Sequence, residues 1–337
     1  MDNFPGREDE YPRIVVVIPA YRAEKFIIKI LSGIPPFVSN IVVVDDCSPD
    51  RTAELVYAFN DSRICLVSHE TNQGVGKAML TGYCKALELG AKIIVKMDSD
   101  DQMDPAYLVP LIAPILTGQA DYTKGNRFLH ANELKAMPFI RRIGNAGLSF
   151  LTKAASGYWN LFDPTNGYTA IHTSVVPLLD TTKIHPRYFF ESSMLIELGM
   201  HRAVIRDVYI PARYGDGFSS LSVWKTLIEF PPRLFSAFLR RFMVQYFIRD
   251  FGIVSVLFLA GLLFSGFGLI FGGYQWYKSA VTGTVAPTGT VMVATLPLIL
   301  GSQLLIQALV ADIQSIPQEP IHNQLDALER LNQALGK

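Results

Sequence analysis

The chain has 337 residues, half of them hydrophobic, and its 30 basic and 30 acidic side chains give a formal net charge of zero at pH 7. Balanced charge without a basic run argues against a nucleic-acid-binding protein. The three cysteines are odd in number and lack Cys-x-x-Cys spacing, so they predict free thiols rather than a disulfide framework. The first residues are polar and predict no secretory signal.

Apolar runs alternate with segments of helical spacing through the first hundred residues, which predicts four buried strands with helices between them. The predicted strands are residues 13–18, 41–44, 63–68 and 91–97, and the predicted helices are residues 25–31, residues 51–59 and a third that starts near Lys77 and ends at about Leu89. This order predicts an α/β domain with a mostly parallel sheet. A polar loop follows each strand, at the edge where α/β proteins place their ligands.

The fourth predicted strand runs into the acidic loop of Asp98, Ser99, Asp100, Asp101 and Gln102. In extended backbone the side chains of Asp98 and Asp100 would point to one side and that of Asp101 to the other. Two carboxylates at a strand end suit Mg²⁺ or Mn²⁺, which also takes phosphate oxygens as ligands. The alternative is a solvated acidic turn that caps the next helix.

Two other loops have more than one interpretation. Asp45 and Asp46 follow the second strand, where they can cap a helix or accept hydrogen bonds from a nucleobase or a ribose. Residues 74–77, Gly-Val-Gly-Lys, lack the first glycine and the final Ser or Thr of a P-loop, yet Lys77 at a helix start can meet a diphosphate. No Gly-x-Gly-x-x-Gly follows the first strand, so a nicotinamide-dependent dehydrogenase has no support.

With these loops in this order, the chain resembles the family 2 glycosyltransferases, which have a Rossmann-like GT-A fold and use nucleotide-diphosphate sugars. The motifs that carry the resemblance are Val17-Ile18-Pro19-Ala20-Tyr21, Val42-Val43-Val44-Asp45-Asp46-Cys47-Ser48, Asn72-Gln73-Gly74-Val75-Gly76-Lys77-Ala78 and Met97-Asp98-Ser99-Asp100-Asp101-Gln102. The resemblance implies a nucleotide site made of Pro19, Ala20, Tyr21, Glu24, Asp45, Asp46, Lys77, Asp98 and Ser99. It also implies a Mg²⁺ or Mn²⁺ ion bound by Asp98, Asp100 and Gln102.

Later motifs resemble the subgroup typified by dolichyl-phosphate mannose synthase and the bacterial GtrB and ArnC types, which load a sugar onto a polyprenyl phosphate. These motifs are Lys124-Gly125-Asn126-Arg127-Phe128, Asp163-Pro164-Thr165-Asn166-Gly167-Tyr168, Phe189-Phe190-Glu191 and Arg213-Tyr214-Gly215-Asp216-Gly217-Phe218-Ser219-Ser220. The subgroup usually has an uncharged residue where Asp101 stands, which leaves the local charge at the metal open. The Gln-x-x-Arg-Trp pattern of processive synthases does not occur in the sequence, which argues against a polymerase.

The acceptor that this resemblance implies is a ready nucleophile. A phosphate monoester, with a second pKa of about 6, is largely dianionic at neutral pH and needs positioning more than deprotonation. Guanidinium groups match phosphate oxygens, so Arg127 and Arg213, with Ser219, are predicted to bind the acceptor phosphate. Ordinary ion pairs are the alternative for the arginines, and capping or structural hydrogen bonds for Asp163 and Glu191. The predicted catalytic residues are Asp100, Asp163, Glu191 and Arg127.

Residues 223–250 combine large apolar side chains at helical spacing with basic ones. Pro231 and Pro232 are expected to divide this segment into two helices that lie in the membrane interface, with their arginines among lipid phosphates. A helix packed on the globular domain is the alternative. The basic residues are Lys225, Arg233, Arg240, Arg241 and Arg249.

No Asp, Glu, Lys or Arg occurs in residues 251–277 or 279–311. Residues 253–273 and 291–310 are each long enough, at about 1.5 Å per residue, to cross a hydrocarbon core of roughly 30 Å. Within the second span, Pro297 is a tolerable kink, and Ser302, Gln303 and Gln307 are expected to face protein rather than lipid. Basic residues crowd before the first span, so the positive-inside rule predicts that the catalytic domain and the C-terminus are cytoplasmic.

Four regions are therefore predicted: a GT-A catalytic domain (residues 1–222), juxtamembrane amphipathic helices (223–250), two transmembrane helices joined by a short extracytoplasmic loop (251–312) and a cytoplasmic tail (313–337). The tail has the apolar spacing of an amphipathic helix that binds the membrane surface or self-associates.

The predicted activity is inverting transfer of one sugar to a polyprenyl phosphate of the undecaprenyl type at the cytoplasmic face of the inner or plasma membrane. Likeness to the GtrB type favours UDP-glucose as donor, with GDP-mannose or a UDP-linked modified sugar as alternatives. The predicted partners are the nucleotide sugar, the polyprenyl phosphate and the bilayer, with no nucleic acid, and a homo-oligomer is compatible with the sequence. A sugar nucleotidyltransferase and a catalytically degenerate membrane scaffold are the competing classes.

Overall fold

A computed structural model of the chain describes residues 12–127, 139–164, 166–211 and 223–334. The chain forms two compact units, one made of Met1–Ala237 with Pro317–Lys337 and the other of Phe238–Ile316. The first unit contains the sheet that the sequence predicts. The second contains two long apolar helices.

The first unit is built on a seven-stranded sheet with the strand order β3-β2-β1-β4-β6-β5-β7. Among the described residues, only β6 runs antiparallel to its neighbours β4 and β5; the other pairs are parallel. The strands are β1 (Ile14–Ala20), β2 (Asn40–Asp45), β3 (Ile64–Ser68), β4 (Ile93–Lys96), β5 (Tyr122–Asn126), β6 (Thr169–His172) and β7 (Ile205–Tyr209). The predicted α/β domain with a mostly parallel sheet is confirmed.

Helices cover both faces of this sheet because alternate residues of each strand point to opposite sides. The first helices of this unit are α1 (Ile27–Gly33), α2 (Thr52–Ala58), α3 (Val75–Glu88), α4 (Leu108–Leu116), α5 (Phe139–Ser156) and α6 (Phe190–Met200). Val16 and Ile18 of β1 join one apolar cluster, with side chains of α1 and α4, whereas Val15 and Val17 join a second cluster with side chains of α3 and α6.

Helix α7 (Val223–Met243) is continuous through Pro231 and Pro232, and one π-helical turn, Val244–Arg249, follows it. The prediction of two helices divided at these prolines is therefore wrong. A proline lacks the N–H of a helical hydrogen bond, but its fixed φ is helical. Burial of Phe230 and Leu234 on either side of the pair stabilises the helical course.

The second unit contains α8 (Ile253–Thr282) and α9 (Thr288–Gln314), with mean hydropathies of 2.4 and 1.8 over their most apolar windows. Both are long and apolar enough to cross a membrane. They pack through small residues: a Cβ at Gly261 would lie 2.8 Å from Leu305, and one at Gly268 would lie 2.8 Å from the carbonyl oxygen of Ala294. Close backbone approach at glycines is typical of membrane helix pairs.

Ser302, Gln303 and Gln307 of α9 are exposed in the single chain. The expectation that they face protein is therefore wrong for the monomer. The small residues of α8 select a different face of α9 for the contact, the one that carries Leu298, Gly301 and Leu305.

Arg241 also departs from its predicted place among lipid phosphates, since its side chain is buried and forms an ion pair with Asp312. The guanidinium donates from Nη1 to Asp312 Oδ1 at 2.8 Å and from Nη2 to Oδ2 at 3.0 Å. The hydroxyl of Tyr246 donates to the same carboxylate at 2.5 Å. A buried arginine requires such a partner because its charge has lost its water.

The last helix, α10 (Ile321–Ala334), packs on the sheet unit. The buried carboxylate of Asp121, just before β5, accepts hydrogen bonds from the backbone N–H groups of Ile321 and His322 at 2.9 and 2.8 Å. His322 Nδ1 also lies 2.8 Å from Asp121 Oδ1, and its ring stacks on His172 at 4.3 Å. At the next turn, Lys92 pairs with Asp326 at 3.0 Å. Neither predicted role of the tail, membrane binding or self-association, accounts for these contacts.

Candidate functional site

The register of the sheet brings the predicted site loops to one edge. Ala20, the last residue of β1, pairs with Asp45, the last residue of β2, and Lys96 at the end of β4 pairs with Val17. Because β6 is antiparallel, its first residue, Thr169, lies beside Lys96 and also beside Lys124 of β5. The loops after β1, β2, β4 and β5 and the loop before β6 therefore all open on the same side.

Asp45 and Asp46 have different environments at this edge. Asp46 is buried and fully engaged: its carboxylate lies 2.8 Å from His69 Nδ1 and accepts the N–H groups of Gln73 and Gly74 at 2.9 and 2.7 Å. Asp45 is equally buried, but its Oδ1 has no hydrogen-bond partner among the described residues. A bare buried carboxylate oxygen is costly without a ligand, so Asp45 is the better candidate for a nucleotide contact.

Helix α3 begins without an open phosphate cradle. Gly74 has the left-handed φ of +94° that glycine adopts most easily, and the N–H groups of Gly76 and Lys77 both donate to the carbonyl oxygen of Pro186. These helix-start donors are therefore already used within the chain. The Lys77 side chain is exposed, and its contact with a diphosphate stays a prediction.

The loop after β1 has one exposed ring and several fixed backbone groups. Pro19 and Ala20 are buried, whereas the Tyr21 side chain is 45% exposed. The Glu24 carboxylate accepts the N–H of Arg51 at 3.1 Å, and the Glu24 N–H donates to Asp50. The loop is thus tied to the start of α2, with Tyr21 left available to stack on a planar ligand.

The acids after β4 lie in a turn and not on extended backbone, because β4 ends at Lys96. The argument from strand alternation therefore does not hold, although the acids do separate. Asp98 binds Lys96, with Nζ to Oδ1 at 2.5 Å, whereas Asp101 has a left-handed φ of 62° and pairs with Lys29 at 2.5 Å. Lys29 neutralises the acid at position 101, which reduces the excess negative charge of this loop.

Asp100 is the acid of this turn that forms no direct ion pair among the described residues, and Lys96 acts on it only at longer range. Its Oδ1 accepts the N–H of Gln102 at 3.1 Å. Burial and the neighbouring Asp98 carboxylate raise the pKa of Asp100 above its usual value. Gln102 contacts Asp100 through its backbone, and metal binding by its side chain stays a prediction, as does the contact of Ser99 with the nucleotide.

No group of three or more His, Cys, Asp or Glu side chains in the described part of the chain is arranged to hold a metal ion. Asp98 and Asp100 would supply two hard-oxygen ligands to such an ion. Mg²⁺ in nucleotide enzymes is commonly held by one or two carboxylates with substrate phosphates and waters, so two carboxylates fit such an ion. The Asp98 carboxylate raises the pKa of Asp100 because the two negative charges repel each other. A bound divalent cation would offset this repulsion.

Lys96 is a site residue to which the sequence alone assigned no role. Its side chain is 1% exposed, and Nζ lies 2.5 Å from Asp98 Oδ1, 3.2 Å from the carbonyl oxygen of Gly167 and 3.4 Å from Glu191 Oε1. Burial alone would lower the pKa of Lys96, but the Asp98 and Glu191 carboxylates outweigh it and raise that pKa. Lys96 is therefore positively charged at neutral pH.

Arg127 and Asp163 are paired across the same edge. Arg127 donates from Nε to Asp163 Oδ2 at 2.8 Å and from Nη2 to Oδ1 at 3.3 Å, and Asp163 is 1% exposed. This two-point contact fixes the plane of the guanidinium. Arg213 and Ser219, the other predicted acceptor residues, lie outside the described residues.

A second buried lysine, Lys124, lies two strands away from Lys96, on the other side of β6 and on the same face of the sheet. Its Nζ donates to the carbonyl oxygen of Asn166, and burial lowers its pKa to about 8. It is paired in register with Asp207 of β7, whose Oδ1 is buried with no hydrogen-bond partner among the described residues. Both lysines could have been identified in the sequence as a basic residue within a predicted strand whose other residues are apolar or small.

The comparisons with known proteins agree with this geometry. Residues 15–177 match the family description "Glycosyl transferase family 2". A UDP-N-acetylglucosamine–dolichyl-phosphate N-acetylglucosaminyltransferase of Methanococcus voltae is 33% identical over 216 residues, which cover 60% of this chain and 86% of the relative. An undecaprenyl-phosphate mannosyltransferase of Micrococcus luteus is 28% identical over 187 residues, covering 54% of this chain and 76% of that protein.

A solved structure supports the fold. Glucosyl-3-phosphoglycerate synthase from Mycobacterium tuberculosis, in complex with Mn²⁺, UDP-glucose and phosphoglyceric acid, superimposes with a TM-score of 0.51 at 21% identity. The superposition covers 68% of this chain and 79% of that one. It shows the GT-A architecture and nothing finer. The family match and the sequence relatives lead to the conclusion that the chain belongs to glycosyl transferase family 2, among its polyprenyl-phosphate sugar transferases.

Proposed function

We propose that this enzyme transfers one sugar from a nucleoside diphosphate sugar to a polyprenyl phosphate. An oxygen of the lipid phosphate attacks the anomeric carbon, the bond from that carbon to the diphosphate oxygen breaks, and the nucleoside diphosphate leaves with inversion. The dianionic nucleophile carries no proton on its attacking oxygen, so the step needs no general base. The observation that carries the proposal is the convergence of Asp45, Asp98, Asp100 and the Arg127–Asp163 pair at one sheet edge.

Asp98 and Asp100 are the residues we propose to hold a divalent metal ion. The ion would offset the negative charge that develops on the leaving diphosphate. Asp45, with its bare oxygen, is proposed to accept a hydrogen bond from the nucleoside, and the exposed ring of Tyr21 to lie against it. Of the two predicted metals, Mn²⁺ and Mg²⁺, either is compatible with a pair of carboxylates.

Arg127 is proposed to bind the acceptor phosphate, with Asp163 fixing its guanidinium. The repulsion between an incoming dianion and the acids of the donor site requires a cation, and a fixed guanidinium plane suits phosphate oxygens. Arg213 and Ser219 are proposed partners of Arg127 on the strength of the family resemblance alone. Glu191, held by Lys96, is proposed to position the sugar.

A UDP-linked hexose is the donor that we propose first. The Methanococcus voltae relative is named for UDP-N-acetylglucosamine, and it shares 33% identity over most of its own length with this chain. UDP-N-acetylglucosamine therefore joins UDP-glucose, the donor predicted from the sequence, as a first choice. GDP-mannose is the alternative suggested by the mannosyltransferase relative.

Helices α8 and α9 are proposed to cross the membrane, with α7 in the interface. The contacts of α10 with Asp121 and Lys92 support an even number of crossings, because the sheet unit flanks the helix pair on both sides in sequence. The basic residues that precede α8 favour the cytoplasm for the sheet unit. The four predicted regions keep their boundaries in this proposal, except that the tail joins the catalytic unit.

The decisive test is a transfer assay on the purified chain in detergent, with a panel of radiolabelled nucleotide sugars and a short-chain polyprenyl phosphate. We expect a UDP-sugar to label the lipid in the presence of Mg²⁺ or Mn²⁺ and the metal chelator EDTA to stop the reaction. Labelling of water or of a soluble sugar, but of no lipid phosphate, would contradict the proposed acceptor.

Sidedness is tested separately with reporters fused after Lys337 and inserted near Thr284. We expect the first reporter to be cytoplasmic and the second to lie outside. A protease-protected C-terminal reporter, in vesicles whose cytoplasmic face is outward, would refute this orientation.

A further inference from the structure

We propose that Lys96 is a positioning residue that holds the donor-binding turn and the Glu191 helix together as one rigid group. The inference rests on the proposed function and extends it to a residue outside the predicted site. Three observations carry it: the burial of the ammonium, the number and kind of its partners, and the absence of spare room around it.

The burial of Lys96 is the first observation. Lys96 stands at the end of β4 between Val17 of β1 and Thr169 of β6, on the face of the sheet that α3 and α6 cover. A lysine is rarely buried to 1% exposure unless it is paired, because an ammonium that leaves water loses a large hydration energy. A conventional hydrophobic residue would fill the same place at lower cost, so the charge itself must be useful.

The second observation is that the ammonium contacts three separate segments, through hydrogen bonds to Asp98 and to the carbonyl oxygen of Gly167 and through an ion pair with Glu191. Asp98 belongs to the turn after β4, the Gly167 carbonyl to the loop before β6, and Glu191 to the first turn of α6. The turn after β4 also carries Asp100, and the loop before β6 carries Asp163. One cation therefore joins the segments that carry the proposed metal ligands, Asp163 and Glu191.

The third observation is the tightness of the packing. A Cβ added to Gly167 would lie 2.5 Å from Lys96 Nζ, 2.7 Å from Asp98 Oδ2 and 3.2 Å from Met103 Cε. Only a glycine at position 167 leaves room for both the ammonium and the Asp98 carboxylate, and an alanine there would displace one of them. Lys96 also occupies Oδ1 of Asp98, so that Oδ2 is the oxygen left to the substrate side.

Without this cation, Asp98, Asp100 and Glu191 would repel one another, and the two segments would have no common anchor. Lys96→Met keeps the length of the side chain and removes the charge. We expect this variant to bind UDP with Mn²⁺ about tenfold or more weakly, the loss typical of a charge-assisted contact, and to have a lower kcat with little change in acceptor KM. Lys85→Met, on the outer face of α3 with a surface pair to Glu88, is the matched control and should leave both quantities unchanged.

Binding of UDP with Mn²⁺ is measured by calorimetry on the full chain in detergent, beside transfer kinetics and thermal unfolding. A double-mutant cycle with Glu191→Gln adds a readout that a merely structural lysine would not move. If Lys96 acts through Glu191, the two substitutions together lower kcat by less than the product of their separate effects. Effects on kcat that multiply, with wild-type affinity for UDP and Mn²⁺ in Lys96→Met, would overturn the proposal.

If Lys96→Met shows no cooperative unfolding transition and is therefore not folded, Gly167→Ala is the variant to test in its place. It keeps the ammonium and forces it away from Asp98, so it should also weaken binding of UDP with Mn²⁺; unchanged affinity in a folded Gly167→Ala chain would refute the anchoring role. A wild-type chain that binds UDP with Mn²⁺ but labels no polyprenyl phosphate would refute the proposed acceptor instead, and the binding comparison would still decide the role of Lys96.

Discussion

Two buried ionic clusters of this protein contrast in how completely their polar groups are satisfied. In the second unit, both oxygens of Asp312 are bonded, to Arg241 at 2.8 and 3.0 Å and to Tyr246 at 2.5 Å. In the first unit, the cluster of Lys96, Asp98 and Glu191 leaves one oxygen of Asp98 without a partner among the described residues. Elsewhere in the same sheet, Asp45 of β2 and Asp207 of β7 each retain a bare buried oxygen. The first cluster faces the sheet edge to which the site loops converge.

This difference distinguishes a cluster with a structural role from one that can bind a ligand. A closed cluster has no bonding capacity left for a ligand, and its contribution is to fix a helix end. An open cluster retains desolvated acceptors, which are unfavourable in the empty protein and become favourable when a cation or a hydroxyl group arrives. Unsatisfied oxygens near a common edge are therefore a better guide to the site than the number of acids in a loop.

The largest effect should come from Asp100→Ala in the open cluster. We expect transfer to fall by about a hundredfold or more, because a proposed metal ligand at the leaving diphosphate is lost while the fold remains. The measurement is turnover with saturating Mg²⁺ or Mn²⁺. Turnover equal to wild type would remove Asp100 from the metal site.

Asp101→Asn is the control for this experiment, since Asp101 lies in the same turn but is closed by Lys29. Asparagine tolerates the left-handed backbone of this position. Turnover should stay within about twofold of wild type, as expected for an exposed ion pair. Equal losses in both variants would mean that the turn, and not the particular carboxylate, matters.

Arg241→Met should have the largest effect on the closed cluster. It leaves Asp312 buried without a cation, which typically destabilises a protein by about 3–5 kcal/mol. We expect a lower midpoint of thermal unfolding in detergent, with normal turnover by the chains that remain folded. The double variant Arg241→Met with Asp312→Leu should recover most of the loss, and a double variant as unstable as the single one would show that the pair is not the cause.

The contact between α10 and the sheet, where His322 stacks on His172, predicts that the stability of the fold depends on pH. Burial, and then the neighbouring His322, lowers the pKa of His172 from 6.5 to about 4. The folded chain therefore binds this proton at a lower pH than the unfolded chain does. The stability that depends on a neutral His172 is fully present above pH 6.5 and is lost as the pH falls toward 4. The loss amounts to about 3 kcal/mol at most.

We expect the midpoint of thermal unfolding to fall over this pH range more steeply in wild type than in His172→Gln, which keeps an acceptor for the N–H of Ser174. The measurement is the midpoint at several pH values between 7 and 4, a window taken from the two pKa values. Parallel curves for the two chains would show that His172 does not titrate in this window.

The smallest effect is expected at Arg127, whose pair with Asp163 is only partly closed to solvent. Arg127→Lys cannot reproduce the planar fork, so the acceptor KM should rise about tenfold with little change in donor KM. Arg213→Lys is tested beside it, and Arg206→Lys, on β7, is the matched control. If Arg127→Lys and Arg213→Lys lose only donor affinity, these arginines belong to the donor site.

The sequence was sufficient for the parts of the molecule that follow from local periodicity. Short aliphatic runs ended by acids indicated β1 to β4, and charge-free stretches indicated α8 and α9, because burial in a sheet or in lipid imposes a pattern on the residues themselves. The arrangement of Asp45 and Asp98 at one edge followed from the parallel order of those strands.

Contacts between distant residues were not predictable in the same way. The roles of Lys96 and Asp121 depend on partners that are far away in the chain, Glu191 and His322 respectively. A single lysine or aspartate leaves no periodic pattern in the sequence from which such a contact could be predicted. The continuity of α7 through two prolines was missed because burial of Phe230 and Leu234 outweighs a local breaker. The rule that proline interrupts a helix describes the local backbone and takes no account of such side-chain burial.

The joint between Asp121 and α10 also has a consequence for how the protein is made. Asp121 accepts one hydrogen bond from Val204 of the same sheet unit, whereas its other donors, Ile321 and His322, are 200 and 201 residues later in the chain. A ribosome that has finished all seven strands has therefore not yet made the helix that completes their domain. Such a long-range contact forms late, so α8 and α9, the proposed membrane spans, are synthesised before the catalytic domain is finished, and a chain stalled at that stage would present an only partly satisfied carboxylate to quality-control proteases.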